Sequence, residues 1–334
     1  MNKQHIGSLL RLVLSVVLIV ALFSVIDRQH FIDNLRNVDP LIFLLGLAAY
    51  FAATALWALR WHLFIRAVGE QVSFVRVFFT TTVGMFFSLF LPTMVGSDLG
   101  RMYELSREQH DKVGVVSTVL LDRLMGLVTL ALMAVFALFF GAEFAGSVPV
   151  KEIVIGTAVI MSVGWVLFFN RRVMRRFNWV FDLPVVKRLE PTLRELYNSL
   201  HFLQSQPRLL LLTFGLSMVY QAVHVLSVVL VAWALGVRVE PVYYFVFMPI
   251  IWLVTMVPIS ISGLGLREGA FAFFFTQVGM TGAEAVAVSL LYYGYNVAVG
   301  VVGGLVFWRA ALVNYRRRLV KPAAPGVETT GQIS

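Results

Sequence analysis

Cysteine is absent from the 334 residues, and charged residues make up only 13% of them. Without cysteine the chain can form no disulfide, no thiolate metal site and no cysteine nucleophile. Ordinary globular chains are about 45–50% apolar and about 25% charged, whereas this chain is 59% apolar. These proportions exclude a soluble globular domain and predict an integral membrane protein.

Sequence motifs of nucleotide and metal chemistry are missing as well. The chain has neither a G-x-x-x-x-G-K-[ST] phosphate loop nor an H-E-x-x-H zinc pattern. The segment GLGLREG at 263–269 lacks the preceding strand that a dinucleotide-binding loop requires. The net charge of +9 comes from lysine and arginine in short loops between apolar runs, where they report membrane orientation. We therefore predict no metal, no cofactor and no nucleic-acid partner.

Six apolar runs are long enough to cross a bilayer as helices, which takes about 20 residues each. The first run follows Lys3 and Arg11, as in a signal peptide, but no small-x-small cleavage site comes after it. We therefore expect it to remain as the first span. The predicted spans cover residues 6–26, 41–59, 113–140, 153–169, 209–235 and 285–308.

Two further apolar stretches, 77–109 and 242–280, are interrupted by proline and glycine. The second half of the first stretch carries four charges between 98 and 107, which are too costly for a segment that spans in lipid. We expect each stretch to form two short helices with a break between them. The predicted breaks lie at Pro92, Gly96 and Gly100 in the first stretch and at Pro258, Gly263 and Gly265 in the second.

Lysine and arginine in short loops predict which loops are cytoplasmic. The segments 60–76 and 170–208 and the tail from Arg309 are rich in these residues, so they and both termini are predicted to be cytoplasmic. Between two cytoplasmic loops a chain crosses the membrane an even number of times. Each interrupted stretch lies between two such loops, together with two uninterrupted spans. Those two spans already give an even number of crossings, so a re-entrant hairpin, which does not cross, keeps the number even. Within 170–208, a helix from Pro191 to Leu203 has leucines on one face and is expected on the inner membrane surface.

Each half of the chain then contains, in order, two spans, one hairpin and one span. Because three crossings are an odd number, the second half is inverted in the membrane relative to the first. The hairpin sequences LPTMVGSDLGR and VPISISGLGLR each place a proline nine residues before an arginine. These features predict an inverted repeat. The fold class is an all-α polytopic membrane protein with about six spanning helices and two re-entrant hairpins. Its parts are a first repeat at 1–141, a second at 142–309 and a basic, then disordered tail at 310–334.

The two hairpins carry charged residues that suit a phosphate group. The arm that returns from each break starts with the positive end of a helix, which attracts anions, and arginine binds phosphate through a two-pronged fork. We expect Arg101 and Arg267 to hold a phosphate, and Asp98, Glu104 and Glu268 to position the arginines or hold a cationic part of a head group. The alternative is that these charges only pair with neighbours or reach the aqueous boundary.

Three ionisable residues in the predicted spans have two interpretations. Asp122 and Arg123 are adjacent, so they point apart on a helix and need separate partners if they are buried. The 17 apolar residues that follow them just suffice for a span, so a position at the membrane boundary is equally well supported. His224 lies near the middle of its span, where we expect a hydrogen-bonded structural role. Tyr292, Tyr293, Tyr295 and Asn296 either line a cavity or serve helix packing.

Four segments together carry a resemblance to a known family. ALRWHLFIRAVG, FLPTMVGSDLGR, STVLLDRLMGL and PISISGLGLREG resemble the membrane domain of lysylphosphatidylglycerol synthases, which is shared with stand-alone flippase-like membrane proteins. The resemblance extends from the first span to Trp308. In one place the chain departs from it, because Ser97 separates Gly96 from Asp98 where the resemblance implies an acid directly after glycine. It implies a domain that moves aminoacylated phospholipid between leaflets, and the separate cytoplasmic domain that makes the lipid has no counterpart in this sequence.

The residues and the resemblance together predict a flippase-like transporter in a bacterial inner membrane. Its substrate would be an anionic or aminoacylated phospholipid, or a polyprenyl-phosphate-linked lipid. The alternative is an enzyme, or a subunit of one, that uses a lipid-phosphate substrate in lipid or cell-envelope synthesis, and a non-catalytic scaffold is the third interpretation. Membrane lipids with a phosphate-bearing head group are the predicted partners, and the oligomeric state stays open.

Overall fold

A computed structural model describes residues 36–90, 93–106, 111–141, 205–256 and 261–320, together with positions 156 and 202. These ranges contain α-helices and two single-turn 3₁₀ helices, at 261–263 and 276–278, and no strand. The all-α class is therefore confirmed. The helices are α1 Pro40–Ala67, α2 Phe74–Phe90, α3 Thr93–Ser106, α4 Lys112–Gly141, α5 Pro207–Ala234, α6 Pro241–Thr255, α7 Leu266–Phe275 and α8 Gly282–Val320.

Four of these helices are long and apolar enough to cross a membrane. The spanning segments are Pro40–Ala67, Lys112–Met133, Pro207–Ala234 and Gly282–Arg309. They coincide with four of the six predicted spans and confirm a polytopic membrane protein. The predicted spans at 6–26 and 153–169, the surface helix from Pro191 and the tail from 321 lie outside the described residues.

Proline sets the start of three helices. Pro40, Pro207 and Pro241 each stand in the first turn of a helix, where a missing N–H leaves no hydrogen bond unmade. The carboxylate of Asp39 also accepts hydrogen bonds from the backbone N–H groups of Leu41, at 2.9 Å, and Ile42, at 3.2 Å. These contacts satisfy donors that the first turn of α1 leaves free.

Both interrupted stretches form a short helix, a break and a second short helix. We call α2 with α3 the first broken pair and α6 with α7 the second broken pair. Pro92 and Pro258 lie outside the described residues. Gly263 and Gly265 lie in the second break with φ of 72° and 84°, a region that favours glycine.

The structure places Gly96 and Gly100 inside α3, so these two glycines are not part of the first break. Gly100 instead allows close packing of α3 on α2. A Cβ atom at Gly100 would lie 2.9 Å from Cδ2 of Phe87 and 3.0 Å from Cα of Gly84. The prediction that glycine marks the break is therefore corrected at these positions, where glycine marks a helix contact.

The helices of the two halves pack closely against each other. α1 packs along α5, α2 along α8 and α4 along α6. If α1 to α4 are matched in order with α5 to α8, each extensive helix pairing in the described residues has a counterpart. Thus α2 with α8 matches α6 with α4, α3 with α4 matches α7 with α8, and α1 with α2 matches α5 with α6. The pattern of pairings is unchanged when the two sets of four helices are exchanged.

Candidate functional site

Asp122 is the centre of a charged network between α1, α3 and α4. It is fully buried, and its carboxylate accepts hydrogen bonds from Nε of Arg60 at 2.6 Å, Nη1 of Arg101 at 2.9 Å and Nε1 of Trp57 at 2.9 Å. Of the two interpretations that the sequence left open, the structure supports a position in the protein interior.

Arg101 is enclosed by protein on every side. Its Nη1 donates to Asp122, and its Nη2 donates to Asp98 at 2.6 Å. The guanidinium lies 4.6 Å from the ring centroid of Trp57 and 4.8 Å from that of Trp61. Its exposed fraction is 1%. Two side-chain carboxylates and two aromatic rings hold Arg101, and its buried Nε has no hydrogen-bond partner within the described part of the chain.

Arg60 is a site residue that the sequence analysis missed. The loop predicted at 60–76 assigned it to the cytoplasm, but α1 continues to Ala67 and Arg60 is buried. Besides the contact with Asp122, its Nη1 donates to Oγ of Ser217 at 2.9 Å. The spacing of Trp57, Arg60 and Trp61 along the chain is that of one helix face, and this signal could have placed Arg60 in the interior.

Asp98 connects the buried network to Arg123. One oxygen accepts from Arg101, and the other accepts from Nη1 of Arg123. Asp122 and Arg123 therefore have separate partners, as their adjacent positions predict. The Arg123 side chain is 30% exposed, and its Nε and Nη2 make no hydrogen bond within the described ranges. Arg123 is the most exposed arginine of this network, and it has donors that remain available.

Arg267 and Glu268 form a second charged group at the start of α7. Nε of Arg267 donates to Oε1 of Glu268 at 2.9 Å and to Oγ of Ser289 at 3.1 Å, and its Nη2 also contacts Glu268. Oε2 of Glu268 accepts from the backbone N–H of Gly265 at 2.6 Å. Both charges are buried. The Arg267 guanidinium also lies over the ring of Tyr293, 4.3 Å from its centroid.

Glu104 is separated from the other candidate residues. It forms an ion pair with Arg76, with 2.9 Å between Nη2 and Oε1, and it does not line the cavity described next. Five of the seven charged residues that the sequence analysis selected line that cavity, and Glu268 pairs with one of them, Arg267.

One cavity of about 260 Å³ is bordered by both broken pairs. Asp98 and Arg101 line it from the first pair, and Ser262 and Arg267 line it from the second. Since a single buried water needs only about 10–15 Å³, the cavity can accept a polar group much larger than water. Its lining also includes Asp122, Arg123 and Arg60, so arginines outnumber acids on its wall by four to two.

An aromatic wall closes the other side of the cavity. Nε2 of His224 and Oη of Tyr292 are 2.7 Å apart, and the imidazole stacks on Trp252 with ring centroids 4.6 Å apart. His224 is thus hydrogen-bonded, as expected of a structural histidine. Tyr292, Tyr293 and Asn296 line the cavity, whereas Tyr295 donates a hydrogen bond to the backbone carbonyl of Phe43 at 2.6 Å and serves helix packing.

The described residues contain no group of three or more histidine, cysteine, aspartate or glutamate side chains placed to hold a metal ion. The chemistry of the cavity is therefore that of its guanidinium groups. They can bind an anion, and a phosphate group fits the paired donors of arginine.

The fold and the site define a multi-pass, all-α membrane protein with a buried, arginine-lined cavity. The chain belongs to the family described as the lysylphosphatidylglycerol synthase TM region, whose model matches residues 8–304. The resemblance seen in the sequence is confirmed, and membership indicates a general membrane-lipid-related role.

Two archaeal proteins are similar to this chain over most of its length. A UPF0104 membrane protein of Methanothermobacter thermautotrophicus is 23% identical over 310 residues, which cover 86% of this chain and 90% of that protein. A UPF0104 membrane protein of Pyrococcus horikoshii is 20% identical over 303 residues, which cover 84% of this chain and 90% of the relative.

Proposed function

We propose that the protein is a flippase-like transporter that moves a phosphate-bearing lipid between the two leaflets. The head group passes through the cavity, while the hydrocarbon chains stay in the bilayer. The observation that carries this proposal is that one arginine-lined cavity is bordered by both broken pairs. Charges inside a membrane are costly and typically mark the path of a substrate or an ion.

Arg123 and Arg267 are the residues we assign to the phosphate. Arg123 is partly exposed and uses one nitrogen on Asp98. Arg267 uses Nε and Nη2 on neighbouring side chains, which leaves Nη1 without a hydrogen bond to the described residues. Arg101, which the sequence analysis favoured, has the role of organising Asp98 and Asp122 around the site.

The first turns of α3 support binding of an anion at the same place, because the amino end of a helix carries a partial positive charge. At α7, the corresponding end is already occupied by Glu268, which accepts from the backbone N–H of Gly265. At α3, Ser97 lines the cavity with a buried hydroxyl oxygen that has no hydrogen-bond partner. An incoming anion can use this free donor.

The proposal includes re-entrant hairpins in an inverted repeat, with 1–141 and 142–309 as its two units. α2 has 17 residues and α6 has 15. At 1.5 Å per residue these helices are about 26 and 23 Å long, which is less than the hydrocarbon thickness of about 30 Å. The exchangeable pattern of helix pairings also supports the repeat. A cavity between two such units is the arrangement found in transporters that work by alternating access.

The test is leaflet exchange in proteoliposomes that contain a trace of fluorescent phosphatidylglycerol. We expect the full chain to speed the exchange and Arg123→Gln to slow it at least about tenfold. Arg238→Gln is the matched control, because this arginine contacts Trp233 and does not line the cavity. It should keep the wild-type rate.

Chromatography of the recovered lipid separates transport from catalysis. Unchanged lipid on the opposite leaflet supports the transporter. A new lipid species would favour the enzyme interpretation, and equal exchange with and without the protein would remove the transport function altogether.

A further inference from the structure

Asp98 lies between one arginine that is fixed in the interior and one that lines the cavity. Its Oδ1 accepts from Nη2 of Arg101 at 2.6 Å, and its Oδ2 accepts from Nη1 of Arg123. Arg101 is fully enclosed and is also bonded to Asp122, whereas Arg123 is partly exposed on the cavity wall. The two oxygens of one carboxylate are therefore bonded to groups of very different freedom.

A phosphate bound to Arg123 would lie next to the Asp98 carboxylate. Nε and Nη2 of Arg123 are bonded to none of the described residues, while its Nη1 is held by Asp98. These three nitrogens belong to one small planar group. Two negative groups on one guanidinium repel each other, and the repulsion is strong in a low-dielectric site. Since Asp98 also lines the cavity, the carboxylate and an incoming phosphate compete for Arg123.

The second partner of Asp98 makes this competition reversible. When a phosphate takes Arg123, Asp98 keeps its contact with Arg101 and is not left as an unpaired charge. When the phosphate leaves, Asp98 returns to Arg123, which avoids an unpaired charge inside the membrane. Asp122 holds Arg101 from the other side, so Asp98 stays within reach of both arginines.

We propose that Asp98 is a positioning residue that competes with the phosphate of a bound lipid for Arg123, and that this exchange sets how readily the head group is released. The inference rests on the proposed transport function. It concerns the phosphate alone, so it applies to phospholipids with and without an aminoacyl group. Passage through a membrane requires binding that is favourable enough for entry and weak enough for exit. A carboxylate that takes the place of the phosphate supplies this weakening.

Binding of a short-chain, soluble phosphatidylglycerol to the full chain in detergent tests the competition separately from transport. Calorimetric titration with dihexanoyl phosphatidylglycerol should show at least about tenfold tighter binding to Asp98→Asn than to wild type, because a neutral amide does not compensate the charge of Arg123. In proteoliposomes the same variant should exchange phosphatidylglycerol more slowly than wild type. An ion pair with only a structural role would instead lower the melting temperature without tightening the binding.

The outcomes separate this inference from the transport function. If folded Asp98→Asn binds the lipid no more tightly than wild type while wild type exchanges lipid, the transport function stands and the competition is wrong. If binding tightens but wild type exchanges no lipid, the competition stands and the transport function fails.

Two further variants show whether the effect belongs to this ion pair. Glu104→Gln is the matched control, because Glu104 lies on the same helix, forms an ion pair with Arg76 and does not line the cavity. It should bind the lipid as wild type does. Adding Arg123→Gln to Asp98→Asn should abolish the tenfold gain, since the gain is assigned to that arginine. A gain that persists in the double variant would contradict the competition.

Infrared difference spectroscopy on the wild type keeps the inference testable if Asp98→Asn does not fold. In protein with isotopically labelled aspartate, dihexanoyl phosphatidylglycerol should shift a carboxylate stretching band, because Asp98 loses its contact with Arg123. The shifted band should be missing from the labelled signal of Asp98→Glu, which identifies it as that of Asp98. Binding of the lipid without any shift of an aspartate band overturns the inference.

Discussion

The two broken pairs hold corresponding arginines in different ways. Arg101 bonds to an acid 21 residues later, Asp122 on α4. Arg267 bonds to a hydroxyl 22 residues later, Ser289 on α8, and obtains its negative charge from the adjacent Glu268. At nearly the same distance after each arginine, the residue it contacts is thus charged in one half and neutral in the other.

This difference means that the first broken pair is held more firmly than the second. The first broken pair is tied to α4 by two ion pairs between helices, Arg101 with Asp122 and Asp98 with Arg123, and to α1 by the rings of Trp57 and Trp61. The charged contacts of the second pair lie within α7, and Ser289 and Tyr293 provide its polar links to α8. If one broken pair moves when a lipid passes, the second has fewer strong contacts to break.

The difference between the two broken pairs is tested most strongly by removing the residue that each arginine contacts on the following helix. Asp122→Asn leaves Arg60 and Arg101 buried without their shared counter-charge, and removing one partner of a buried pair costs roughly 3–5 kcal/mol. Ser289→Ala removes two hydrogen bonds, one from Nε of Arg267 and one to Oε1 of Glu268, each worth about 0.5–1.5 kcal/mol, but Arg267 and Glu268 remain paired with each other. We expect a large loss of folded protein for Asp122→Asn and a small fall in melting temperature for Ser289→Ala. Equal losses would mean that the two halves are held alike.

The arginines themselves provide the second test. Arg101→Lys keeps the charge but cannot donate to two carboxylates while it stacks between two indole rings. Each hydrogen bond between charged groups contributes about 1.5–3 kcal/mol, so this variant should be clearly less stable. Arg267→Lys can keep its contact with Glu268, so it should fold normally and lose transport. Melting temperature and lipid exchange are measured on both, and a stable Arg101→Lys would contradict the structural role of that arginine.

The apolar runs, and the prolines and glycines that interrupt them, predict much of this fold. Four spans follow from apolar runs, and the second break contains two of the glycines that predicted it, Gly263 and Gly265. Five of the seven selected charged residues line one cavity, because a charged residue in an apolar run is costly unless it faces a cavity or a partner. These predictions rest on spacing along the chain, which the sequence displays directly.

The partners of those charges could not be predicted in the same way. The enclosure of Arg101 depends on Trp57 and Trp61, which are separated from it by a loop and a complete helix. Which donors reach Asp122 depends on the rotation of α1 about its axis, and apolar runs do not determine that rotation. Arg60 was missed because a lysine- and arginine-rich segment is typical of a cytoplasmic loop, yet the helix extends through it. Glu104 was selected because it lies in the first interrupted stretch with Asp98 and Arg101, but it forms an ion pair with Arg76.

The last expected effect concerns how the first broken pair packs on α8. A Cβ atom at Gly303 would lie 2.0 Å from the backbone oxygen of Thr82 in α2. A side chain can avoid a new Cβ atom by changing its rotamer, but backbone atoms cannot. Gly303→Ala should therefore push α2 and α8 apart and lower the free energy of unfolding by about 1–3 kcal/mol. Gly126 in α4, the counterpart of α8, has its nearest such neighbour, Arg60, at 3.5 Å, so close glycine packing belongs to the first pair.

Gly294→Ala is the matched control for Gly303→Ala, because it lies on the same helix and has open space around it. Alanine favours a helix over glycine by up to about 1 kcal/mol, so this variant should melt at or slightly above the wild-type temperature. The two alanines should therefore move the melting temperature in opposite directions. If both raise it, the contact between α2 and α8 is looser than described, and the first broken pair is fixed by its buried charges alone.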